Sequence, residues 1–386
     1  MDGMMRTALT FDGEKIVIAV ISLVVIIGNI IGKKEKMMYV TLIAWLWVIM
    51  SFTYGIADES VYMSRYNNPD LWIGKTELVY SALISICNKV GFTFQQFKMV
   101  VSALELWLIT STVWKYAKYP NIILVLYSLY PFALNVVQMR NALATAIMIY
   151  ACRYLIFDND AGKRITLSDV KYCCCIILAT LVHSTSIIWL VLLVAKKSDI
   201  KFTFKFTLLA NFVIAFVLSP STIGRVANIF GAGDRIGAYL TNEYQQSSYR
   251  HYGMALIQVI ITALFMISIC IYIIRHKKVF ENVDKIDLLL KMNVVILCIV
   301  SIILKYTGEA YRLQEGLMLI NYMLIINSFD PSRFKMRKLS IRTAKVLGVM
   351  TVFLVVIIYI TILLYLVPTV LNPILNNNYL IDYIFS

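Results

Sequence analysis

The chain alternates long apolar runs with short polar breaks. The first run, IVIAVISLVVIIGNII, starts at Ile16, and many of the later ones approach the roughly 20 residues needed to cross a bilayer as a helix. The runs are continuous, without the apolar–polar alternation of a transmembrane β-strand, which excludes a β-barrel. They predict spans near 16–31, 37–54, 95–114, 120–134, 141–157, 202–218, 252–274, 286–304, 313–327 and 344–367. Two runs behave differently. The run 77–91 is short and has to return to the side it left, so it is expected to be re-entrant or interfacial. The run 170–195 has basic clusters at both ends and is interrupted at His183-Ser184, which predicts a broken helical hairpin entering and leaving on one side. The expected fold is an all-α polytopic membrane protein with about 12 crossings. It forms one integral membrane domain over 1–386, with an outer loop carrying the re-entrant segment at 55–94 and a large outer loop at 219–251.

Composition supports this class. The chain is 60% hydrophobic and 15% charged, against about 45–50% and about 25% in soluble domains, which excludes a soluble globular enzyme. The formal charge of +14 would suggest nucleic acid in a soluble protein. In a membrane protein it reflects Lys and Arg gathered on the cytoplasmic side, so no nucleic-acid partner is expected. Placing the clusters at Lys33–Lys36, Lys115–Lys118, Lys163–Lys171, Lys196–Lys205, Arg275–Lys285 and Arg333–Lys345 inside puts both termini outside. No cleavable leader is expected, because no small-residue cleavage site follows the first apolar run. The seven cysteines sit in apolar runs without C-x-x-C or zinc spacing, so no metal site is expected. There is no Walker A motif and no G-x-G-x-x-G after a strand. No cofactor is therefore expected, and the polar residues that demand explanation fall on the outer side.

Ionisable residues at membrane depth are functional candidates, and each also has a plainer explanation. Arg140, in NVVQMRNALATAIMIY, could anchor a helix end by snorkelling or clamp an anion through its planar fork. Gln138 and Asn141 beside it could hold sugar hydroxyls. Arg312, in GEAYRLQEGLMLINYML, has the same two readings, and the two arginines would together suit a pyrophosphate. His183 could be a satisfied core residue, a hydrogen-bond donor to phosphate or a proton carrier. Asp58, Glu59 and Glu77 could each be a general base, a helix cap or an arginine partner. Lys98 and Glu105, seven apart on one helix, look like a structural pair. In the loop 219–251, Tyr244, Gln245, Gln246, Tyr249, Arg250 and Tyr252 suit carbohydrate or an interfacial aromatic belt. Arg225 and Arg235 of that loop are further candidate substrate-binding residues.

The segments YGIADESVY, ELVYSAL, QMRNALATAI, LATLVHSTSI and EAYRLQEGLMLINYML, in that order, resemble the EpsG-type branch of the Wzy-like bacterial polysaccharide (O-antigen, capsule or exopolysaccharide) polymerases. Gly55, Asp58 and Tyr62 carry the first element, Gln138 and Arg140 the second, His183 and Ser184 the third, and Arg312 and Tyr322 the last, over roughly 50–330. One position departs: Thr53 stands where the family often has arginine, and Arg65 or a loop arginine could substitute. The resemblance implies a GT-C-like, metal-independent membrane glycosyltransferase in the bacterial plasma (inner) membrane, acting on its outward, periplasmic face. Its substrates would be undecaprenyl-pyrophosphate-linked glycans, and its neighbours membrane lipids, a flippase and a chain-length regulator. On this reading Arg140 and Arg312 bind the donor pyrophosphate and His183 assists. Asp58, slightly ahead of Glu77, activates the acceptor hydroxyl. An O-antigen ligase is the nearest rival. A flippase is disfavoured by the lack of a second broken hairpin, since transporters commonly carry such features in pairs.

Overall fold

In the computed structural model the described residues are 16–32, 34–69, 77–157, 165–216, 242–303 and 311–329, single positions between 348 and 359, and 370–385; for 242–258 only the backbone is described. Among them the chain is helical apart from one isolated bridge. The helices divide between two units, the first made of 1–153, 174–187 and 355–386 and the second of 154–173 and 188–354.

The first unit is built on α5, Phe94–Tyr116. This helix starts at a capping box: Thr93 Oγ1 accepts from Gln96 N–H (3.2 Å) and Gln96 Oε1 accepts from Thr93 N–H (2.8 Å). The two reciprocal bonds satisfy otherwise orphaned donors of the first turn. Among the described residues, α5 is the one helix long and apolar enough to cross a membrane. It packs against α2 (Lys36–Phe52) and α8 (Met139–Cys152). Ala142, Ala144, Ala146 and Ala151 of α8 are fully buried; small side chains let helices approach closely where lipid supplies no hydrophobic drive. α1 (Ile16–Ile31) lies against α2 and presents Leu23, Val24 and Ile31 outward. Such apolar faces suit a lipid surround, and the protein is a helical membrane protein.

The expected span 120–134 is not continuous. α6 (Pro120–Leu129) stops before Pro131, and a six-residue α7 (Phe132–Val137) follows. A proline inside a helix removes a donor and clashes with the preceding turn. The ten residues of α6 reach only about 15 Å at ~1.5 Å per residue.

The Lys98–Glu105 pair is not formed either. Two helical turns separate such residues by about 10 Å along the axis, whereas neighbours lie three or four apart. Lys98 Nζ, almost fully buried, instead donates to the Thr53 carbonyl and stands 3.4 Å from Glu59 Oε1. Glu105 Oε1 is 3.5 Å from the Tyr127 hydroxyl, which also accepts from Asn135 Nδ2 at 2.9 Å.

Between α2 and α3 (Glu59–Asn67) the chain turns at Gly55, whose φ of +73° is a left-handed conformation suited to glycine. The tail closes on this turn. Tyr54 N–H donates to Asn377 O at 3.2 Å, Thr53 bridges Asn378, and Tyr54 stacks on Tyr379 at 4.3 Å. The tail's helices are α15 (Asn372–Asn376) and α16 (Tyr379–Phe385). A Cβ at Gly55 would lie 3.0 Å from Asn377 Nδ2. Gly55→Val should therefore destabilise the protein by about 2 kcal/mol or more, from the left-handed penalty plus the collision. Thermal unfolding in detergent and faster proteolysis of the tail would show it.

The segment 170–195 breaks where expected. α9 (Leu167–Val182) ends before His183, a 3₁₀ stretch runs Ser184–Leu190, and α10 is Val191–Lys197. Its two ends meet: Asp169, near the start, accepts from Lys196 Nζ at 2.9 Å and Lys197 Nζ at 2.5 Å. That contact fits a hairpin whose ends share a side.

In the second unit α13 (Val283–Ile303) packs against α11 (Ile200–Phe216), α12 (Asn242–Arg275) and α14 (Tyr311–Ser328). Buried Asn293 and Asn321 donate to each other's carbonyl at 2.7 and 3.2 Å, joining α13 to α14. Asn321→Leu should lose about 0.6–2 kcal/mol by leaving Asn293 Oδ1 without its donor, although Asn293 Nδ2 keeps its bond to Leu289 O at 2.9 Å, while the double leucine variant should recover most of it; a double-mutant unfolding cycle measures the difference. The expected loop 219–251 is shorter at its end, because α12 already begins at Asn242. Its first turns, NEYQQSSYRHY, are polar but contain no proline to stop a helix. The rest of that loop, and most of the expected span 344–367, lie outside the described residues.

Candidate functional site

α3 carries Tyr62, Arg65 and Tyr66, with Tyr62 and Arg65 three residues apart, on one helical face. Tyr62 and Tyr66 are buried in an apolar cluster with Tyr80 and Ile84 of α4 (Leu78–Lys89), Phe97 and Val101 of α5, Met139 and Leu143 of α8, and Val182 of α9. Tyr66 OH also donates to Phe92 O at 2.5 Å. This packing fixes α3, α4, α8 and the end of α9 against one another within the first unit. The polar side chains at their ends are thereby brought to one place.

That place is centred on Glu77, the residue before α4, whose side chain is 4% exposed. Its backbone is left-handed, φ +62° and ψ +52°, a conformation that costs a non-glycine residue on the order of 1 kcal/mol and persists only where the surroundings impose it. Arg140 Nη1, from the first turn of α8, donates to Glu77 Oε2. Arg65 Nη1 is 3.9 Å from the same oxygen. His183 Nδ1 is 2.8 Å from the other, Oε1. The Arg140 guanidinium also lies over the Tyr62 ring, 5.7 Å from its centre. Arg140 Nε and Tyr80 OH are buried without a hydrogen-bond partner among the described residues.

Glu77, Arg140 and His183, which stand 63 and 106 positions apart along the chain, are thus one cluster. Gln138 and Asn141 flank it and bond each other, Asn141 Nδ2 donating to Gln138 Oε1 at 3.0 Å. Asp58 is the N-cap residue of α3 and makes no side-chain cap bond. Its neighbour Glu59 accepts from Gly55 N–H at 2.6 Å and faces Lys98. A cation therefore does stand beside Thr53, supplied by Lys98 rather than by the side chain at that position. Arg312 is in the first turn of α14, in the second unit, with Gln314 and Glu315 buried beside it; Gln314 Nε2 donates to Val259 O at 3.0 Å. Tyr249 and Arg250 lie on the N-terminal turns of α12, where only the backbone is described. Arg225 and Arg235 lie outside the described residues, as does Asp158-Asn159-Asp160, an Asp-x-Asp spacing in the 158–166 connection before α9.

Arg65, which the sequence offers only as a substitute for the missing family arginine, stands in the cluster, 3.9 Å from Glu77 Oε2. Its spacing from Tyr62 was the available signal. Among the described residues no group of His, Cys, Asp and Glu could hold a metal ion. The cluster can do two things chemically. Two guanidiniums at the N-terminus of α8, where the helix dipole adds positive potential, can hold an anion. A carboxylate paired with an imidazole can move a proton.

A model of the EpsG family matches residues 36–385. No curated protein and no solved structure matches the chain.

Proposed function

We propose, on the premise that this chain belongs to the EpsG family, that it is a membrane polysaccharide polymerase. It would join lipid-linked repeat units on the outer face of the bacterial plasma membrane. The donor would be a glycan on a lipid pyrophosphate and the acceptor the next lipid-linked unit. The carrying observation is the meeting of Arg140, Arg65 and His183 at Glu77, with Arg140 Nε buried and without a hydrogen-bond partner among the described residues. A buried unsatisfied donor costs about 1–3 kcal/mol, and an oxygen of a bound diphosphate would relieve it. Arg140 would hold the leaving diphosphate, with Arg65 close behind, and would stabilise the charge that builds on it. Arg312, Gln138, Asn141, Arg225, Arg235, Tyr249 and Arg250 remain candidate contacts to the glycan or its diphosphate. The GT-C-like arrangement, the undecaprenyl carrier and independence from metal belong to this same proposal.

The outward orientation draws support from the sequence. Charge patterning puts position 77, the start of the span at 141 and the hairpin tip at 183 on the outer side, and these three points meet in the first unit.

Mass spectrometry of lipid-linked glycans in cells lacking the gene tests the proposal. Single repeat units accumulating on the outer-leaflet carrier are expected. Long chains still on the carrier would indicate a ligase, and units held on the inner leaflet a flippase. An unchanged profile would remove all three.

A further inference from the structure

Resting on the transferase reading of this site, we propose that Glu77 is a positioning residue that holds His183 as its Nδ1–H tautomer, so that His183 Nε2 takes the proton of the acceptor hydroxyl. An ionised carboxylate can only accept hydrogen bonds. The ring nitrogen 2.8 Å from Glu77 Oε1 is Nδ1, so Nδ1 carries the hydrogen. In a neutral imidazole the lone pair is then on Nε2.

Glu77 is itself poorly placed to be the base. Oε1 is taken by His183 and Oε2 by Arg140, with Arg65 also facing Oε2, and the side chain is nearly sealed. Its oxygens are committed to donors already present. His183 is the more open of the two, at 16% exposure against 4%. Its backbone is pinned on both sides: His183 N–H donates to Ala179 O at 2.8 Å, and its carbonyl accepts from Ser186 N–H at 3.0 Å. Ring rotation is therefore the main remaining freedom, and Glu77 fixes it. Guanidiniums of Arg65 and Arg140 bear on the cluster from α3 and α8, and the hydroxyl-bearing rings of Tyr62 and Tyr80 adjoin it.

The step balances without another reactant. The acceptor oxygen forms the new bond to the donor's anomeric carbon as its proton passes to Nε2. The anomeric carbon–oxygen bond to the diphosphate breaks, and its electron pair leaves with the lipid diphosphate beside Arg140. The imidazolium, paired with Glu77, then gives its proton to solvent.

The test uses the full chain in lipid nanodiscs, with the single lipid-linked repeat unit isolated from cells lacking the gene. His183→Asn keeps a donor for Glu77 and removes the Nε2 base. It should retain the lipid-linked unit at near wild-type affinity and elongate it about 100-fold or more slowly, in line with the range for general-base loss. The protein has three histidines, so ¹⁵N-histidine spectra assigned with this variant resolve His183. The wild-type signal should show the hydrogen on Nδ1, and Glu77→Ala should give a tautomer mixture while the other two signals stay put. Elongation by His183→Asn at the wild-type rate, or a wild-type spectrum with the hydrogen on Nε2, overturns the proposal and leaves the transferase reading intact. A wild-type protein that elongates no lipid-linked unit removes both.

Discussion

Arg140→Lys should lower polymer formation about 100- to 1,000-fold while leaving the protein folded. The size follows from removing one pre-aimed donor to a developing oxyanion, about 2.7–4 kcal/mol. Lysine keeps the charge but is a single point donor, whereas guanidinium presents a planar fork. Here the fork has three separate tasks. Nη1 is committed to Glu77, the plane lies over Tyr62, and Nε is buried without a hydrogen-bond partner among the described residues. An ammonium can replace the first but not the stacking or the direction of the third. The check is polymer yield in cells carrying the variant, with protein amount measured in the membrane fraction. Wild-type yield would take Arg140 out of the anion clamp.

Glu77→Ala and Arg140→Ala should each cost about 3–5 kcal/mol of stability, because each leaves a mostly buried charge without its partner. The double variant should lose markedly less than the sum, with a coupling of about 2 kcal/mol or more. Side chains 4% and 17% exposed are screened little by water. Residual coupling of Glu77 to Arg65 and His183 means that the double variant should not recover fully. It should also stay inactive, which separates the pair's structural role from its chemical one. Unfolding of the four proteins in one detergent measures the cycle, and additive losses would show that Arg140 and Glu77 do not act as a pair.

What the sequence disclosed depended on the range of the interaction. Apolar runs are local, so α1, α2, α5 and α13 appear within a residue or three of their expected limits. The break at His183-Ser184 was equally legible, because a polar stretch interrupts an apolar one. Hydropathy, however, passes over a proline flanked by apolar residues, and so the interruption at Pro131 was lost. It also stops at the first polar turn, which is why the start of α12 was set ten residues late. Partnerships were least legible. Lys98 and Glu105 share a helix, yet each bonds a residue from another segment. Glu77, Arg140 and His183 were each singled out, but their convergence depends on how α3, α4, α8 and α9 pack, and no spacing in the chain encodes it.

The docking of the tail on Tyr54 has a consequence for how the protein is made. The amide of Asn377 that bonds Tyr54 O is translated 323 residues later. At about 5–20 residues per second, the turn before α3 spends roughly a quarter of a minute to a minute without the tail that closes on it. During that interval the upstream helices have already left the ribosome, while Thr53, Tyr54 and Gly55 await their partners. A nascent chain that stalls or is cut before the tail would hold Arg65 on an unlatched α3. The contacts that hold the start of the segment presenting this arginine are therefore completed only when the tail is made.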